Sequence, residues 1–171
     1  MENNMGGLLI SLDEEARLEN LKKYKILYTK TEPFFDQLAA VTATMMNTPI
    51  AMINFVDRDV VWTKADQHGQ TGSEMVRGMS LCSLAILNES VTVFEDLIQN
   101  PVLVSNPMFV GEAGLGFYAA AAITTDEGFR VGSVCIVDKN PRVFSEEDRK
   151  KLERMALMVR LEMNRRIENQ E

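Results

Sequence analysis

Two cysteines carry the most reactive side chains of this sequence. Cys82 and Cys135 lie far apart in the chain and form no Cys-x-x-Cys pair. Cys82 begins a predicted short helix, where the helix N-terminus can lower a thiol pKa, and Cys135 falls in a predicted strand. Such thiols could do redox chemistry through a thiolate, a sulfenic acid and a disulfide. The simpler interpretation is that both are reduced thiols in the core.

The sequence offers little for a metal or a haem. His68 is the only histidine, and it precedes a glycine in a predicted loop, where we expect a solvated surface residue. Haem iron takes an axial ligand such as histidine, and iron–sulfur clusters usually take four protein ligands, so two cysteines are too few. We therefore expect no metal and no cofactor.

Four other side chains are candidates for contact with a ligand. Trp62 lies in a predicted strand and is more often a core residue than a ligand platform. Tyr118 is predicted to be buried, and a buried phenol needs a partner, which can be a loop carbonyl or a ligand. Asp96 follows a strand at the start of a long loop, where capping a turn is the simpler role. Arg77 could pair with a bound anion or with a carboxylate such as Glu74.

A sheet must position these residues, and the stretch 114–138 predicts its centre. Residues 117–124 are apolar on both faces, and residues 129–137 are rich in valine and isoleucine, as strands are. Gly128 supplies the positive φ that a short hairpin needs. Because neither strand alternates between apolar and polar residues, both are predicted to be central strands that are covered on both sides.

Two helices are predicted before the sheet. Ser11 and Glu14 have the spacing of a capping box, which predicts a helix at 13–24. Thr31 is the predicted cap of a second helix, with Pro33 in the first turn, where a missing N–H group costs nothing.

The middle of the chain is predicted to contain a hairpin of strands at 50–56 and 60–65, a loop at 66–80, a short helix at 81–87 and a strand at 91–94. Ser80 is the predicted N-cap of the short helix. The connection 96–114 is long for a compact domain, and such loops are usually lids or binding loops.

A long helix is predicted at 145–168. Ser145 is its predicted cap, acidic residues fill its first turn, and one apolar stripe runs along it. At 1.5 Å per residue it is about 36 Å long, more than one small sheet can cover. We therefore expect its far end to be left for a partner chain or a downstream linker.

Composition limits the classes of protein that this chain can belong to. It has 171 residues, of which 46% are hydrophobic and 25% charged, with a net charge of −7. These values are typical of one soluble globular domain, which we place at 13–168 after a flexible segment at 1–12. The negative balance argues against nucleic acid or an anionic membrane as a partner. We find neither an apolar run near 18 residues nor a signal peptide, so we expect a cytoplasmic protein.

The order of elements predicts an α+β fold with a central antiparallel sheet of five to six strands. The N- and C-terminal helices would lie on one face of the sheet. The short helix and the long loops would form a pocket on the other face. This architecture alone does not give a function.

The sequence resembles a GAF domain, in particular the bacterial sensor type found at the front of histidine kinases and cyclase-like signalling proteins. The resemblance lies in residues 14–27, 31–39, 49–65, 80–86, 106–123 and 132–156. It implies a small-molecule pocket under the long loop, a homodimer formed by the terminal helices, and a kinase or cyclase output domain downstream. The pocket candidates are Phe55, Trp62, Arg77, Ser80, Cys82, Asp96, Asn106, Phe117, Tyr118 and Cys135.

The chain departs from that family at two places. Gly116 stands where relatives often carry arginine, and Cys82-Ser83-Leu84 stands where relatives read Cys-Ala-His. A positive anchor and an imidazole are therefore missing, so we expect neither anion nor metal binding there, and no cysteine-linked bilin. The Asn-Lys-Phe-Asp-Glu signature of cyclic-nucleotide GAF domains is absent from the sequence.

Three functions remain open on this basis. The first is a non-enzymatic sensor that binds an unidentified small, neutral or mostly apolar molecule and signals through its terminal helices. The second is a thiol-dependent reductase of free methionine-R-sulfoxide, because such enzymes are built on this fold, although they usually carry further cysteines in the pocket loop. The third is a dimerisation module that has lost its ligand.

Overall fold

A computed structural model describes residues 2–5, 8–11, 13–99 and 115–169, the first two segments by their backbone alone. Near the N-terminus, strands β1 (Glu2–Met5) and β2 (Leu8–Ser11) pair antiparallel in a region where we predicted no element. That this region is flexible stays a prediction.

A six-stranded antiparallel sheet forms the centre of the fold. Its strands, in chain order, are β3 (Ile50–Val56), β4 (Val60–Asp66), β5 (Glu74–Val76), β6 (Thr92–Phe94), β7 (Phe117–Thr124) and β8 (Arg130–Asp138). In space the order is β5-β4-β3-β8-β7-β6. The two predicted hairpins, β3–β4 and β7–β8, are confirmed, and β8 lies between β3 and β7 as a central strand. β5 falls in the predicted loop 66–80. It is only three residues long and pairs with the start of β4, and so short a strand shows no periodicity in the sequence.

Three helices cover one face of the sheet, as predicted. They are α1 (Glu14–Lys23), α2 (Pro33–Met46) and α4 (Glu146–Asn169). The large apolar core lies between them and the sheet and includes Phe35, Phe55, Phe117 and Leu152.

A smaller core lies on the other face. There the short helix α3 (Cys82–Ala85) packs on the sheet with Leu81 and Ile86 at its ends, against Val56, Ala120 and Val137. The predicted arrangement, with terminal helices on one face of the sheet and the short helix on the other, is therefore confirmed for the described residues.

The helix caps agree with the sequence only in part. At α4 the backbone N–H of Asp148 donates to Ser145 Oγ at 3.1 Å, and the Ser145 N–H donates to Asp148 Oδ2 at 3.0 Å, so the predicted cap is confirmed. At α2 the N-cap residue is Glu32 and not Thr31. At α1 the predicted capping box is wrong, because Ser11 lies in β2 and the Glu14 carboxylate accepts hydrogen bonds from two arginines instead.

The far end of α4 is not left uncovered, contrary to our expectation. Met163 is fully buried, and Arg166 donates to Glu32 Oε1 at 2.8 Å and to the Tyr24 carbonyl at 3.1 Å. Glu32 also binds Lys64, a fully buried lysine of β4, at 2.6 Å. The end of α4 is therefore tied to the sheet by charges that the apolar stripe of the sequence did not reveal.

Two glycines allow close backbone approaches. A Cβ atom at Gly132 would lie 2.1 Å from the Asn54 carbonyl oxygen, so this mid-strand glycine makes room for the neighbouring strand β3. A Cβ atom at Gly116 would lie 2.3 Å from the Lys139 carbonyl oxygen. The arginine that relatives often carry at this position therefore has no room on this backbone.

Glu14 joins α1 to the segment that leads into α3. Its carboxylate accepts from Arg77 Nη1 at 2.5 Å and from Arg17 Nε at 2.9 Å, and both arginines are buried. Burial raises the pKa of Glu14, but the hydrogen bonds from Arg77 and Arg17 outweigh this effect, so the pKa of Glu14 is lowered overall. Glu14 therefore stays charged at neutral pH.

We expect Glu14→Ala to lower the free energy of unfolding by about 3 kcal/mol, because it leaves the buried Arg77 unpaired. Urea unfolding at neutral pH measures this loss. Because the folded-state pKa of Glu14 is lowered, the stabilisation is present above its unfolded value of 4.5 and should disappear as the pH falls through the folded value.

Glu15→Ala is the matched control, because Glu15 is exposed and pairs with the exposed Arg58. It should leave the free energy of unfolding nearly unchanged. Equal effects of the two substitutions would contradict the structural role of Glu14.

Candidate functional site

A cavity of about 350 Å³ lies on the face of the sheet opposite the terminal helices. The pleat of each strand sends alternate side chains to this face, and the segment from Ser73 to Cys82 forms one wall. The lining residues are Ile50, Met52, Asn54, Val61, Thr63, Ser73, Glu74, Met75, Ser80, Leu81, Cys82, Leu115, Tyr118 and Val137. A mostly apolar wall with a few convergent polar groups is typical of a small-molecule site.

The polar groups of the cavity converge on one sulfur atom. Cys82 Sγ lies 3.3 Å from Asn54 Nδ2, 3.4 Å from Ser133 Oγ and 3.2 Å from the Tyr118 hydroxyl. All four residues are buried. The amide and the two hydroxyls can all donate to the sulfur, an arrangement that suits a thiolate better than a thiol.

Asn54 is held in place by its neighbours. The Thr63 hydroxyl donates to Asn54 Oδ1 at 2.7 Å, which fixes the amide with its nitrogen towards the sulfurs. The same Nδ2 lies 3.6 Å from Cys135 Sγ, so one amide group contacts both thiols.

This environment separates the acidities of the two thiols. Hydrogen bonding with the Cys135 thiol, then with Ser133, Tyr118 and Asn54, outweighs burial and lowers the pKa of Cys82. Hydrogen bonding to Cys82 and burial raise the pKa of Cys135. Burial and the charge of Cys82 raise the pKa of Tyr118 well above its usual value, so its hydroxyl stays available as a donor.

Two hydrogen bonds hold the first turn of helix α3, which carries Cys82. The N-cap residue of α3 is Leu81, so the predicted N-cap Ser80 is wrong by one residue, and the Ser80 hydroxyl accepts from the Cys82 N–H at 3.2 Å. The Ser83 hydroxyl donates to the Arg77 carbonyl oxygen. Since Arg77 binds Glu14, the thiol helix is connected to α1 through one arginine.

The structure brings four of the ten candidate residues together. Ser80, Cys82 and Tyr118 line the cavity, and Cys135 lies beside Cys82 in the smaller core. Arg77 is fully buried and pairs with Glu14, not with Glu74, so it is not free to bind an anion.

Three aromatic candidates lie on the other face of the sheet. Phe55, Trp62 and Phe117 pack in the large core under the terminal helices. Each alternates along its strand with a residue that does reach the cavity, such as Asn54 before Phe55 and Tyr118 after Phe117. The sequence could not show which face each residue points to, because the aromatic residue and the adjacent cavity residue are both buried.

The predicted lid lies mostly outside the described residues. Asp96 is half-buried and precedes a 3-10 turn at Leu97–Gln99, and the Gln99 N–H donates to its carbonyl oxygen at 3.2 Å. Asn106 and the rest of the loop 96–114 beyond residue 99 are among the residues that are not described.

Sequence reasoning missed three polar residues of the site. Asn54, Thr63 and Ser133 lie inside apolar strands, and each is buried. A polar residue within such a strand is the signal that could have identified them, because a buried polar group needs a partner.

Two other kinds of site are not seen. Among the residues with described side chains, no group of three or more His, Cys, Asp and Glu residues could hold a metal ion. None of the described helices combines the length and the apolar character that crossing a membrane requires.

One curated relative shares much of this sequence. A cyclic di-GMP phosphodiesterase of Pseudomonas aeruginosa is 32% identical over 148 residues, which is 86% of this chain and 25% of that protein. The chain thus spans about a quarter of the relative. No family model matches the chain.

Solved structures share the fold at low sequence identity. The GAF domain of an Acinetobacter phosphoenolpyruvate-protein phosphotransferase has a TM-score of 0.65 and 15% identity, over 91% of this chain and 95% of that one. The free methionine-R-sulfoxide reductase of Neisseria meningitidis has a TM-score of 0.61 and 17% identity, over 96% of each chain. At such identities the likeness concerns the fold alone.

We expect Tyr118→Phe to raise the pKa of the Cys82 thiol, because the substitution removes one donor to the thiolate and leaves the ring in place. The ultraviolet absorbance of the thiolate, followed against pH, measures the change, and Cys82→Ser identifies which titration step belongs to Cys82.

Tyr28→Phe is the control, because Tyr28 is exposed and its hydroxyl donates to Asp57 at 2.6 Å. It should leave the thiol titration unchanged. An unaltered titration in Tyr118→Phe would show that the tyrosine does not stabilise the thiolate.

Proposed function

Because the chain has the fold of a GAF domain, we propose that it is a non-enzymatic, cytoplasmic sensing module that binds a small molecule and passes the signal to its terminal helices. The observation that supports this proposal is the cavity of about 350 Å³ opposite those helices.

The lining of the cavity indicates the chemistry of the ligand. The described lining includes no cationic side chain, and its charged groups are Glu74 and the Cys82 thiolate, so nothing among them attracts an anionic group. Asn54 and Thr63 offer a few hydrogen-bonding groups at the sheet, and the methionines adapt to irregular shapes. We infer a neutral, mostly apolar ligand with one or two polar groups.

The β7–β8 hairpin connects the cavity face with two terminal helices. Tyr118 lies on β7, and the tip of the hairpin carries Asp126 and Glu127. Glu127 accepts from Asn20 Nδ2 and from the Tyr24 hydroxyl of the α1 C-cap, each at 2.8 Å. Hydrogen bonds from Asn20 and then Tyr24 hold the pKa of Glu127 at about 2, so this contact is charged at physiological pH.

The same hairpin tip holds α4. Asp126 accepts from Arg160 Nε at 2.7 Å and from Asn164 Nδ2 at 3.1 Å. A ligand that moves β7 or β8 would therefore act on α1 and α4 together and favour one arrangement of the two helices.

Helix α4 also offers a surface for a second copy of the chain. Leu157, Met158 and Leu161 are 48%, 41% and 56% exposed, on the side away from the core. An apolar strip on a long helix suits a symmetric helix pair. We propose that two chains dimerise through it.

The proposed output lies outside this chain. The phosphodiesterase relative is about four times as long as the part that matches. We infer that a domain of this kind is coupled to a downstream output domain, such as a kinase or cyclase-like domain, whose activity the helix arrangement regulates.

Indole is a suitable probe of the cavity, because it is neutral, mostly apolar and carries one N–H donor. We expect Val61→Phe to weaken indole binding by about tenfold or more, since the larger side chain fills space next to the sheet. Isothermal titration calorimetry measures the affinity. Val41→Phe, at an exposed position of α2, is the control and should bind as the wild type does. Equal binding by all three proteins would place the probe outside the cavity.

For the dimer, we expect Leu161→Glu to give a monomer, because it places a charge in the apolar strip of α4. Size-exclusion chromatography with light scattering measures the mass over a range of concentrations. Val143→Glu, at a position that is 85% exposed, should remain dimeric. A wild-type chain that stays monomeric at high concentration would refute this part of the proposal.

A further inference from the structure

The two free thiols of the chain contact each other beside the cavity, in the smaller core. Cys82 comes from α3 and Cys135 from the central strand β8, and Asn54 Nδ2 contacts both sulfurs, at 3.3 and 3.6 Å. The fold therefore pairs two cysteines that the sequence places far apart. The sensing function proposed above does not need this pairing.

The surroundings of the two thiols differ in a way that assigns them different roles. Cys82 lines the cavity and faces the Ser133 and Tyr118 hydroxyls, which favour its thiolate. Cys135 is fully buried behind it, in the smaller core. A thiolate at a cavity wall with a thiol behind it is the arrangement of an oxidisable pair. The outer sulfur reacts with the oxidant, and the inner sulfur then forms a disulfide with it.

We propose that Cys82 is a site of oxidation by a small neutral hydroperoxide that enters the cavity, and that Cys135 converts the product into a Cys82–Cys135 disulfide. A hydroperoxide suits the site because it is uncharged and small, and the described lining offers mostly apolar groups. The inference is independent of the identity of the sensed ligand.

The chemistry balances in two steps. In the first, the Cys82 thiolate attacks the terminal oxygen of ROOH, the O–O bond breaks, and the leaving alkoxide takes a proton to give ROH and a Cys82 sulfenic acid. In the second, the Cys135 sulfur attacks the Cys82 sulfur, the S–O bond breaks, and the thiol proton leaves with the hydroxide as water. Two thiols are oxidised and one hydroperoxide is reduced. The Tyr118 hydroxyl lies 3.2 Å from Cys82 Sγ, where it can donate a proton to the leaving oxygen.

The test uses the full chain, reduced and then freed of reductant. It is treated with hydrogen peroxide or cumene hydroperoxide, unfolded in the presence of iodoacetamide, and weighed as intact protein. We expect the wild type to lose both alkylatable thiols and two hydrogens, and peptide mapping to find Cys82 joined to Cys135 within one chain. Cys135→Ser should instead gain one oxygen on Cys82, and Cys82→Ser should keep an alkylatable Cys135.

Several results would overturn the proposal. One is a wild type that keeps both thiols although the peroxide oxidises N-acetylcysteine, a free thiol added to the same sample to show that the oxidant is active. Another is a disulfide that joins two chains. A third is oxidation that proceeds equally in Cys82→Ser. Peptide mapping of the wild type needs no variant, so a substitution that fails to fold does not remove the test.

A parallel reaction separates this proposal from a reductase. Free methionine sulfoxide replaces the hydroperoxide, and the alkylatable thiols are counted in the same way. We expect both thiols to remain. Loss of the thiols at the rate seen with peroxide or faster would assign the pair to a sulfoxide reductase, the enzyme whose fold this chain shares, and would overturn both this inference and the non-enzymatic part of the proposed function. Neither result depends on indole binding, which tests the sensing function separately.

Discussion

The pleat of three adjacent central strands is the constraint on which the rest of this structure depends. In β3, β8 and β7, successive side chains point to opposite faces, and both faces are covered. Phe55 and Phe117 point to the terminal helices and pack in the large core there. The other face carries Asn54, Ser133 and Ala120 together with larger residues such as Tyr118 and Met52. The cavity lies on that second face, where Asn54, Met52 and Tyr118 line it.

Buried charges then attach the helices to that sheet. Arg77 and Glu14 join the wall of the cavity to α1, and Lys64, Glu32 and Arg166 join β4 to the end of α4. Such pairs add little net stability over an apolar core but are costly to break, so they favour one arrangement of the elements they connect. Together with the charged tip of the β7–β8 hairpin, they connect the sheet and the segment beside the cavity to the terminal helices.

Much of the fold could be predicted from the sequence because local signals were strong. The apolar run 117–124 and the valine- and isoleucine-rich run 129–137, separated by a turn that contains Gly128, predicted the central hairpin, and the Ser145 cap with its acidic first turn predicted α4. The prediction failed where contact with a residue that is distant in the sequence determines the local structure. Glu14 has the spacing of a capping box, yet its carboxylate pairs with Arg77, a buried arginine that follows the next three strands in the chain.

The candidate site was harder to predict for the same reason. In strands that are buried on both sides, the sequence does not tell which residues face the helices, so Phe55, Trp62 and Phe117 were grouped with residues that reach the cavity. Cys82, Tyr118 and Cys135 were among the predicted candidates, but their meeting around Asn54 depends on the register between β3 and β8, which no single segment encodes.

The central claim is that the face of the sheet opposite the terminal helices receives a small apolar molecule. Methyl resonances of the methionines, followed by NMR during addition of indole, test it most directly. The account predicts that Met52 and Met75, which line the cavity, shift and saturate, while Met46 and Met163, in the core under the helices, do not. Unchanged resonances of Met52 and Met75 at saturating indole, or equal shifts at all four residues, would contradict it.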